Sequence, residues 1–290
     1  MWKGAVGVKP YFCAYNQKDM PAKPVDHLFL PYRSSAVHVL RMGNGPKKVL
    51  AFHGFSEEAA GFQALAPAFP EAYTLYAFDF PFHGQTDWQE RYDLRKQDLE
   101  ALIRQLGEEE GFSRFSLMGF SMGGRLCLAM VEPLLPQLES LFLIAADGIQ
   151  THKVFNISIY PVWGRWVFKW IMTQPGTFFK WVGFLYRSKI ISRFMYDFTR
   201  NHMDTPEKRN RIFHTWVALK NFVPDVPKVQ QLLTEHKIPV HLFFGQRDEV
   251  IPADVGRAFQ ANVPQATFDL VPKGHKLVHA VTIPYLQKYL

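Results

Sequence analysis

Short runs of consecutive apolar residues recur along the first half of the chain and predict buried β-strands. These runs occupy residues 48–52, 74–78, 115–118 and 141–144. Between them, the apolar residues of 92–106 and 125–131 follow the spacing of a helix that packs on one side. Because strands and helices alternate, we expect an α/β fold with a doubly wound, mostly parallel sheet covered on both faces.

The strand pattern stops near residue 148 and returns only after residue 235. Helical or irregular segments fill this interval, and one helix is expected to begin at Asp204–Glu207, where a proline falls in the first turn. The later strands and helices are expected at 240–244, 252–262, 267–271 and 277–290. We therefore divide the chain into a core of residues 1–147 and 236–290 and a helical insertion of residues 148–235.

The composition is that of a globular protein, and it argues against a membrane-spanning, a disulfide-rich or a zinc-binding protein. Of the 290 residues, 48% are hydrophobic, and no run of about eighteen apolar residues predicts a membrane-spanning helix. The two cysteines, Cys13 and Cys127, lie in no metal-binding spacing, so neither a disulfide framework nor a zinc site is expected. The N-terminus lacks the apolar stretch of a signal peptide. These features favour a cytoplasmic protein that needs no metal or other cofactor.

The net charge of +7 is concentrated in the insertion. Residues 148–235 contain thirteen Lys and Arg against five Asp and Glu, a net charge of +8, which leaves −1 for the rest of the chain. A basic insertion on a near-neutral core is compatible with an anionic substrate, with an anionic membrane surface, or simply with a charged face exposed to solvent. Nucleic acid is not an expected partner, because no recognised nucleic-acid-binding motif is present.

Ser121 is the first candidate for chemistry. It stands in Gly119-Phe-Ser-Met-Gly123, a G-x-S-x-G motif between an apolar strand and a helix. A nucleophilic serine on such a tight turn needs small neighbours two residues away, and the helix N-terminus adds its positive dipole end. The rival interpretation is a phosphate-binding loop, because residues 119–126 approach G-x-x-x-x-G-K-[ST]. Arg125 and Leu126 replace the lysine and the hydroxyl residue of that loop, so we favour the nucleophile.

A serine hydroxyl becomes a nucleophile when a base takes its proton, and an acid must orient that base. His275 follows the last strand and is the expected base, with His279 one helical turn later as its rival. Asp248, after the first strand that follows the insertion, is the expected acid, and Asp147, after the fourth strand, is the alternative. The two histidines lack the glutamate of the H-E-x-x-H zinc motif.

The negative charge that develops on a substrate carbonyl oxygen needs two preorganised backbone amides. Met122, directly after the nucleophile, supplies one of them. The loop after the first predicted strand reads His53-Gly54-Phe55. Because Gly54 lets the backbone come close, we expect the amide of Phe55 to be the second donor to this oxyanion hole.

Taken together, these stretches resemble the α/β-hydrolase fold family, in its capped esterase or lipase-like branch. The resemblance rests on His53–Phe55, Asp79–Thr86, Gly119–Gly123, Gly245–Asp248 and Gly274–His275, which follow one another in family order. It implies that the insertion covers the active site as a cap, or lid. It also implies that the turn Asp79–Thr86 is structural, so His83 is not expected to be catalytic. Serine at position 121 argues against the branches that resemble epoxide hydrolases and haloalkane dehalogenases, which use Asp there.

The insertion is rich in aromatic residues as well as basic ones, since four of the seven tryptophans fall within nineteen residues. On a helix, one stripe would hold Val162, Trp163, Trp166, Val167, Trp170 and Ile171. Trp181 lies further along. Three interpretations stay open: packing against the core, an apolar acyl pocket beneath the cap, and a membrane-surface face with aromatic side chains at the headgroup level.

The sequence therefore predicts a serine hydrolase with Ser121, His275 and Asp248 as its catalytic triad. The expected substrate is a carboxylic ester or thioester with an apolar acyl group, cleaved through an acyl-enzyme intermediate. A carbon–carbon bond hydrolase or lyase on the same triad is the alternative among enzymes, and a non-catalytic ligand-binding protein is the alternative outside them. Association with a membrane surface through the insertion remains a second expectation about location.

Overall fold

A computed structural model describes residues 24–90, 94–150, 161–191 and 193–290 of the chain. The sequence expectations for the N-terminal segment, for Cys13 and for a helix beginning at Tyr92 lie outside these residues. Cys127 is described and is a buried free thiol.

An eight-stranded sheet forms the centre of the described chain, in the order β1-β2-β4-β3-β5-β6-β7-β8. The strands are β1 Val25–Tyr32, β2 Ser35–Met42, β3 Lys47–Phe52, β4 Tyr73–Phe78, β5 Phe115–Phe120, β6 Leu138–Ile144, β7 Val240–Gly245 and β8 Ala266–Val271. Strands β3 to β8 pair in parallel, while β1 and β2 form an antiparallel hairpin at one edge. The predicted α/β fold with a mostly parallel sheet is confirmed.

The helices of the structure differ in their bounds from those that the sequence predicted, most of all at the C-terminus. They are α1 Lys96–Glu110, α2 Met122–Leu134, α3 Val162–Thr173, α4 Pro175–Arg187, α5 Arg193–Met203, α6 Pro206–Ala218, α7 Val226–Glu235, α8 Ala253–Gln260 and α9 Ile283–Leu286. The single helix expected at 277–290 is wrong, because α9 is one turn flanked by 3-10 turns at Ala280–Thr282 and Gln287–Tyr289. Pro284 lies in the first turn of α9, where proline is tolerated, and it has no N–H with which to continue a longer helix.

Apolar side chains cover both faces of the sheet, as a buried parallel sheet requires. Along β3, Leu50 and Phe52 point to the face that also holds α1, α2, α7 and α8. Val49 and Ala51 point to the other face, where α9 and the 3-10 helices Ala59–Ala64 and Ala66–Ala68 pack. The sheet is therefore rigidly held, and the loops at the carboxyl ends of its strands have a fixed support.

Three of the helices between β6 and β7 bury a small apolar cluster of their own. The cluster consists of Phe168, Met172, Met203 and Ile212, which lie on α3, α5 and α6. Arg209, on α6, is 7% exposed and donates to the carbonyl oxygens of Met172, Met203 and Asp204 at distances of 2.8 to 3.2 Å. Helix α7 follows and packs instead in the sheet core, through Val229 and Leu233.

The tryptophans of the stripe expected on the first of these helices face away from the protein, whereas Ile171 of the same stripe packs against the inner cluster. Helix α3 buries its opposite side, through Gly164, Phe168 and Met172. Trp163 and Trp166 are 62% and 71% exposed, and Trp181 on α4 is 62% exposed. The interpretation that these aromatic side chains pack against the core is therefore wrong. Among the helices of the described residues, none combines the length and the apolar composition that a bilayer crossing requires.

Candidate active site

The turn between β5 and α2 holds Ser121 in a strained backbone conformation. Its φ is +49° and its ψ is −116°, in a region that residues other than glycine rarely adopt. Three backbone hydrogen bonds fix the turn: the Ser121 amide donates to the Ile144 carbonyl, and the Ser121 carbonyl accepts from the amides of Gly124 and Asp147, each at 2.9 Å. The hydroxyl is thus presented at the carboxyl edge of the sheet and beside the N-terminus of α2.

Glycine is required on both sides of this serine by close backbone contacts. A Cβ atom on Gly119 would come within 2.5 Å of the carbonyl oxygen of Gly123. A Cβ atom on Gly123 would overlap the carbonyl of Phe52, at the end of β3. The small neighbours predicted from the G-x-S-x-G motif are therefore a steric necessity of the turn.

Ser121, His275 and Asp248 form one continuous line of contacts. The Oγ of Ser121 lies 3.0 Å from Nε2 of His275, and Nδ1 of His275 lies 2.8 Å from Oδ2 of Asp248. The Asp248 side chain is fully buried, and its Oδ1 accepts from the amides of Val250 and Ile251 at 2.8 and 2.9 Å. A carboxylate held in this way accepts a hydrogen bond from Nδ1–H, which keeps the proton on Nδ1 and leaves Nε2 as the acceptor for the serine hydroxyl.

The two loops that carry the histidine and the aspartate are tied together by their backbones. The amide of Arg247 donates to the carbonyl of Lys273 at 3.0 Å, and the amide of Gln246 donates to the carbonyl of Val271 at 2.8 Å. A Cβ atom on Gly245 would meet the carbonyl oxygen of Gly274 at 2.7 Å. The close approach of these loops brings His275 to Asp248, although 27 residues separate them.

The alternative acid and the rival base have other contacts. Asp147 pairs with Arg125, with 2.8 Å between Oδ2 and the guanidinium nitrogen, and its Oδ1 accepts from the amide of Gly148. His279 is exposed, and its Nδ1 accepts from the amide of Val281 at the start of a 3-10 turn. Asp248 and His275 are thus the pair that the structure brings to Ser121.

The loop predicted to donate the second oxyanion amide lies directly beside the serine. A Cβ atom on Gly54 would be 3.4 Å from Cβ of Ser121 and 2.8 Å from the ring of Phe120. Met122 is the first residue of α2, so its N–H has no acceptor within the helix. The Phe55 and Met122 amides therefore belong to two segments that meet at Ser121, and their role as donors stays a prediction.

The sequence did not reveal that His53 orients this loop. Its Nδ1 donates to the carbonyl oxygen of Gly54 at 2.7 Å, and its Nε2 accepts from the amide of Phe80 at 3.2 Å. Burial lowers the pKa of His53 far below its usual value, so the ring is neutral and keeps an acceptor at Nε2. In a trans peptide the C=O and N–H point in opposite directions, so fixing the Gly54 carbonyl also fixes the direction of the Phe55 N–H.

His83 supports the same loop from the turn Asp79–Thr86. Its Nδ1 donates to the carbonyl of Pro81 at 3.0 Å, and its Nε2 accepts from the amide of Ser56 at 3.3 Å. Burial lowers the pKa of His83 to about 4, which keeps it neutral. Asp79, at the start of the turn, accepts from the amides of Ala59 and Gln85 at 2.6 and 2.9 Å. These contacts are structural, in keeping with the role that the family resemblance implied for this turn.

Helices between β6 and β7 contact the site. Phe55 packs against the cluster formed by Phe168, Met172, Met203 and Ile212. The ring of Phe82 lies 5.1 Å from that of His214 on α6. The loop beside Ser121 is therefore in contact with an apolar layer contributed by these helices. Within the described residues, no group of three His, Cys, Asp or Glu side chains is arranged to hold a metal ion.

Comparisons with known proteins show that this chain is similar to hydrolases. The chain is 22% identical over 236 residues to an uncharacterized hydrolase, YugF, of Bacillus subtilis, which covers 80% of this chain and 84% of the relative. It is 28% identical over 127 residues to the lipase LipV of Mycobacterium tuberculosis, covering 41% of this chain and only 47% of the lipase. A probable hydrolytic enzyme of Pseudomonas aeruginosa has a similar structure, with a TM-score of 0.63, 17% identity and coverage of 92% and 93% of the two chains.

The chain also matches the model of a protein family over most of its length. Residues 44–280 match the model of the hydrolase family described as "Serine aminopeptidase, S33". That range begins before β3 and ends after His275, so it includes the elbow, the loop at His53 and both strands that carry the acid and the base. By this match and by its sheet topology, the chain belongs to that family of α/β hydrolases.

Proposed function

We propose that the protein is a serine hydrolase that cleaves a carboxylic ester or thioester with an apolar acyl group through an acyl-enzyme intermediate. The observation that carries this proposal is the unbroken contact line from the Ser121 hydroxyl through His275 to the buried Asp248 carboxylate. Serine alone is a weak nucleophile, and this arrangement supplies the base that it needs.

The proposed reaction has two halves. Ser121 Oγ attacks the carbonyl carbon while Nε2 of His275 takes the hydroxyl proton, and the amides of Phe55 and Met122 stabilise the oxyanion. The tetrahedral intermediate collapses, the bond to the alcohol or thiol breaks, and His275 returns the proton to that leaving group. Water then attacks the acyl-serine with the same base, which releases the acid and restores the serine.

The apolar acyl group is proposed from the surroundings of the serine. Phe55 follows Gly54, whose backbone lies beside Ser121, and it packs against the apolar cluster of the helices between β6 and β7. An acyl chain placed there would be removed from water at about 0.8 kcal/mol per buried methylene group. The descriptions of LipV as a lipase and of YugF as a hydrolase support an ester-type reaction for this chain as well.

A fluorophosphonate probe tests the nucleophile. We expect it to label the wild type and to leave Ser121→Ala unlabelled, because only an activated serine reacts with the probe at a useful rate. Ser113→Ala, an exposed serine just before β5, is the matched control and should be labelled like the wild type. A folded wild type that resists the probe would favour the non-catalytic alternative.

The substrate class is tested by turnover of nitrophenyl esters of increasing chain length beside matched thioesters. We expect kcat/KM to rise with acyl length until the apolar layer is filled. Equal activity on acetyl and long acyl esters would contradict the apolar pocket. Absence of ester and thioester turnover by a labelled enzyme would favour the carbon–carbon hydrolase or lyase alternative.

A further inference from the structure

An aromatic and apolar face covers the outer side of α3 and α4. Of twelve large apolar side chains that are exposed in the described residues, eight lie between positions 162 and 190. We use the name tryptophan face for seven of these side chains: Val162, Trp163, Trp166, Val167, Trp170, Trp181 and Phe184. Scattered exposed apolar residues are ordinary, but the concentration of seven of them on two consecutive helices is typical of an interaction surface.

The packing of α3 does not require this face. The helix buries Gly164, Phe168 and Met172 on its inner side, where the latter two join the cluster that reaches Phe55. Trp166, 71% exposed, lies on the other side of the same helix. The helix is therefore apolar on both sides, and only the inner side serves the fold.

The charged residues of the segment that carries the face are all basic. Residues 161–191 contain five Lys and Arg and no Asp or Glu. Lys169 on α3 and Lys180 and Arg187 on α4 are exposed beside the aromatic side chains. Long basic side chains next to exposed tryptophans form the pattern of a surface that rests in the headgroup region of an anionic bilayer.

We propose that the tryptophan face docks the protein peripherally on an anionic lipid bilayer. The indole rings would enter the interface between headgroups and acyl chains, and the surrounding Lys and Arg would contact lipid phosphates. A second copy of the chain is a poorer occupant, because apposing the same face of two copies brings five positive charges against five. The docking is independent of the reaction at Ser121.

Vesicle flotation tests the proposal without any turnover. The probe is a phosphatidylcholine vesicle with or without phosphatidylglycerol. We expect the wild type to float with the anionic vesicles, to float less as salt is raised and to stay behind with phosphatidylcholine alone. The double variant Trp166→Gln with Trp181→Gln should bind about tenfold or more weakly, because it removes two interfacial anchors. Lys169→Gln with Lys180→Gln should weaken binding about 30-fold, at roughly 1 kcal/mol for each lost cation.

Matched controls separate this face from a general effect of charge or aromatic residues. Phe29→Gln removes an aromatic side chain on β1 that is 52% exposed, and Arg104→Gln with Lys237→Gln removes two exposed cations outside α3 and α4. Both should float like the wild type. A wild type that does not float with anionic vesicles, or a tryptophan variant that floats equally well, overturns the proposal. A dimer that sedimentation detects in the wild type and that the tryptophan variant abolishes would assign the face to a second copy and would also overturn it.

Discussion

At the scale of single residues, the two aspartates considered as the catalytic acid differ in their contacts. Asp248 is buried with one oxygen on His275 and the other on two backbone amides. Asp147, after the neighbouring strand β6, instead forms an ion pair with Arg125. The same residue type at the end of neighbouring strands therefore has two different environments, and this difference can be tested.

Asp248→Asn should lower kcat by about 10³- to 10⁴-fold, because an amide at this position stabilises the wrong tautomer of His275 and cannot stabilise imidazolium. Asp147→Asn should keep most of its turnover and instead lose stability, through the weakened pairing with Arg125. Steady-state kinetics and urea unfolding of both variants check this. The assignment of the acid is wrong if turnover is lost in Asp147→Asn and kept in Asp248→Asn.

His53 is a positioning residue, and its effect should appear in kcat rather than in KM. His53→Leu removes the donor that fixes the Gly54 carbonyl, so we expect kcat to fall about tenfold or more as the Phe55 amide loses its direction. His53→Asn keeps a donor near the Nδ1 position and should recover part of the rate.

The comparison of these two variants separates positioning from packing. If both lose the same activity and the same stability, the ring has a packing role only. Circular dichroism melts of the two proteins show whether each one folds.

The residues that the sequence placed together, and that the structure brings into contact, are those with a local signal. Ser121 lies in a motif between a strand and a helix, and the loops that carry His275 and Asp248 follow recognisable strands. The role of His53 depends on a contact with Phe80, 27 residues away, and Arg209 on α6 reaches carbonyls on two other helices. No spacing in a single sequence contains those contacts, so they appear only when the segments are packed together.

At the scale of elements, the parallel strands were predictable and the edge hairpin was not. Strands β3 to β8 are short apolar runs, because both faces of a parallel sheet are buried. Strand β2 is buried along most of its length but contains the polar residues Ser35, His38 and Arg41, which interrupt the apolar pattern. His38 is accommodated by Asp79, with 2.6 Å between its Nδ1 and Oδ2, a contact that again joins distant segments.

The stability of the helices between β6 and β7 depends on the buried guanidinium of Arg209. Arg209→Met leaves the carbonyls of Met172 and Met203 without their donor, so we expect the free energy of unfolding of this unit to fall by about 1 to 3 kcal/mol. Arg211→Met, on the exposed side of the same helix, is the matched control and should cost about 0.5 kcal/mol or less. Hydrogen exchange of α3 and α5 reports the loss, and equal protection in the two variants would contradict it.

At the scale of the whole molecule, buried neutral histidines connect stability to pH. Burial lowers the pKa of His83 to about 4 and that of His241 to about 4 from 6.5, and it lowers that of His53 in the same direction. The unfolded chain therefore binds protons that the native protein does not, between about pH 6.5 and pH 4. The stabilisation is complete above pH 6.5 and is lost progressively as the pH falls through the pKa of the folded state.

We expect the free energy of unfolding to fall steadily from pH 7 to pH 4.5, with His83 alone contributing about 2 to 3 kcal/mol at neutral pH. Urea unfolding at a series of pH values measures this slope. His83→Gln retains an acceptor for the Ser56 amide but cannot titrate, so its slope should be shallower by close to one proton. An unchanged slope in that variant would contradict this prediction, because it would show that His83 does not contribute to the pH dependence of the free energy of unfolding.

The sequence also did not predict which side of α3 faces inward. The periodicity identified the larger apolar stripe, and the structure buries the smaller one, through Gly164, Phe168 and Met172. Hydrophobic periodicity gives the direction of apolar residues around a helix axis, but it does not say which direction another element occupies. The charge pattern of residues 161–191 is the sequence feature that fits an exposed face.

The position of α7 has a consequence for how this chain can vary. Parallel neighbours such as β6 and β7 need a crossover connection, usually a helix, and α7 packs on the sheet as such a helix would. The strand-helix-strand unit of β6, α7 and β7 is thus complete without α3 to α6, which are inserted between β6 and α7. Exchange of those four helices would leave the topology of the sheet and the Ser121, His275 and Asp248 contacts intact. Versions of this chain with other helices grafted between β6 and α7 should therefore keep the Ser121, His275 and Asp248 contacts while changing the apolar layer against Phe55 and the exposed outer surface.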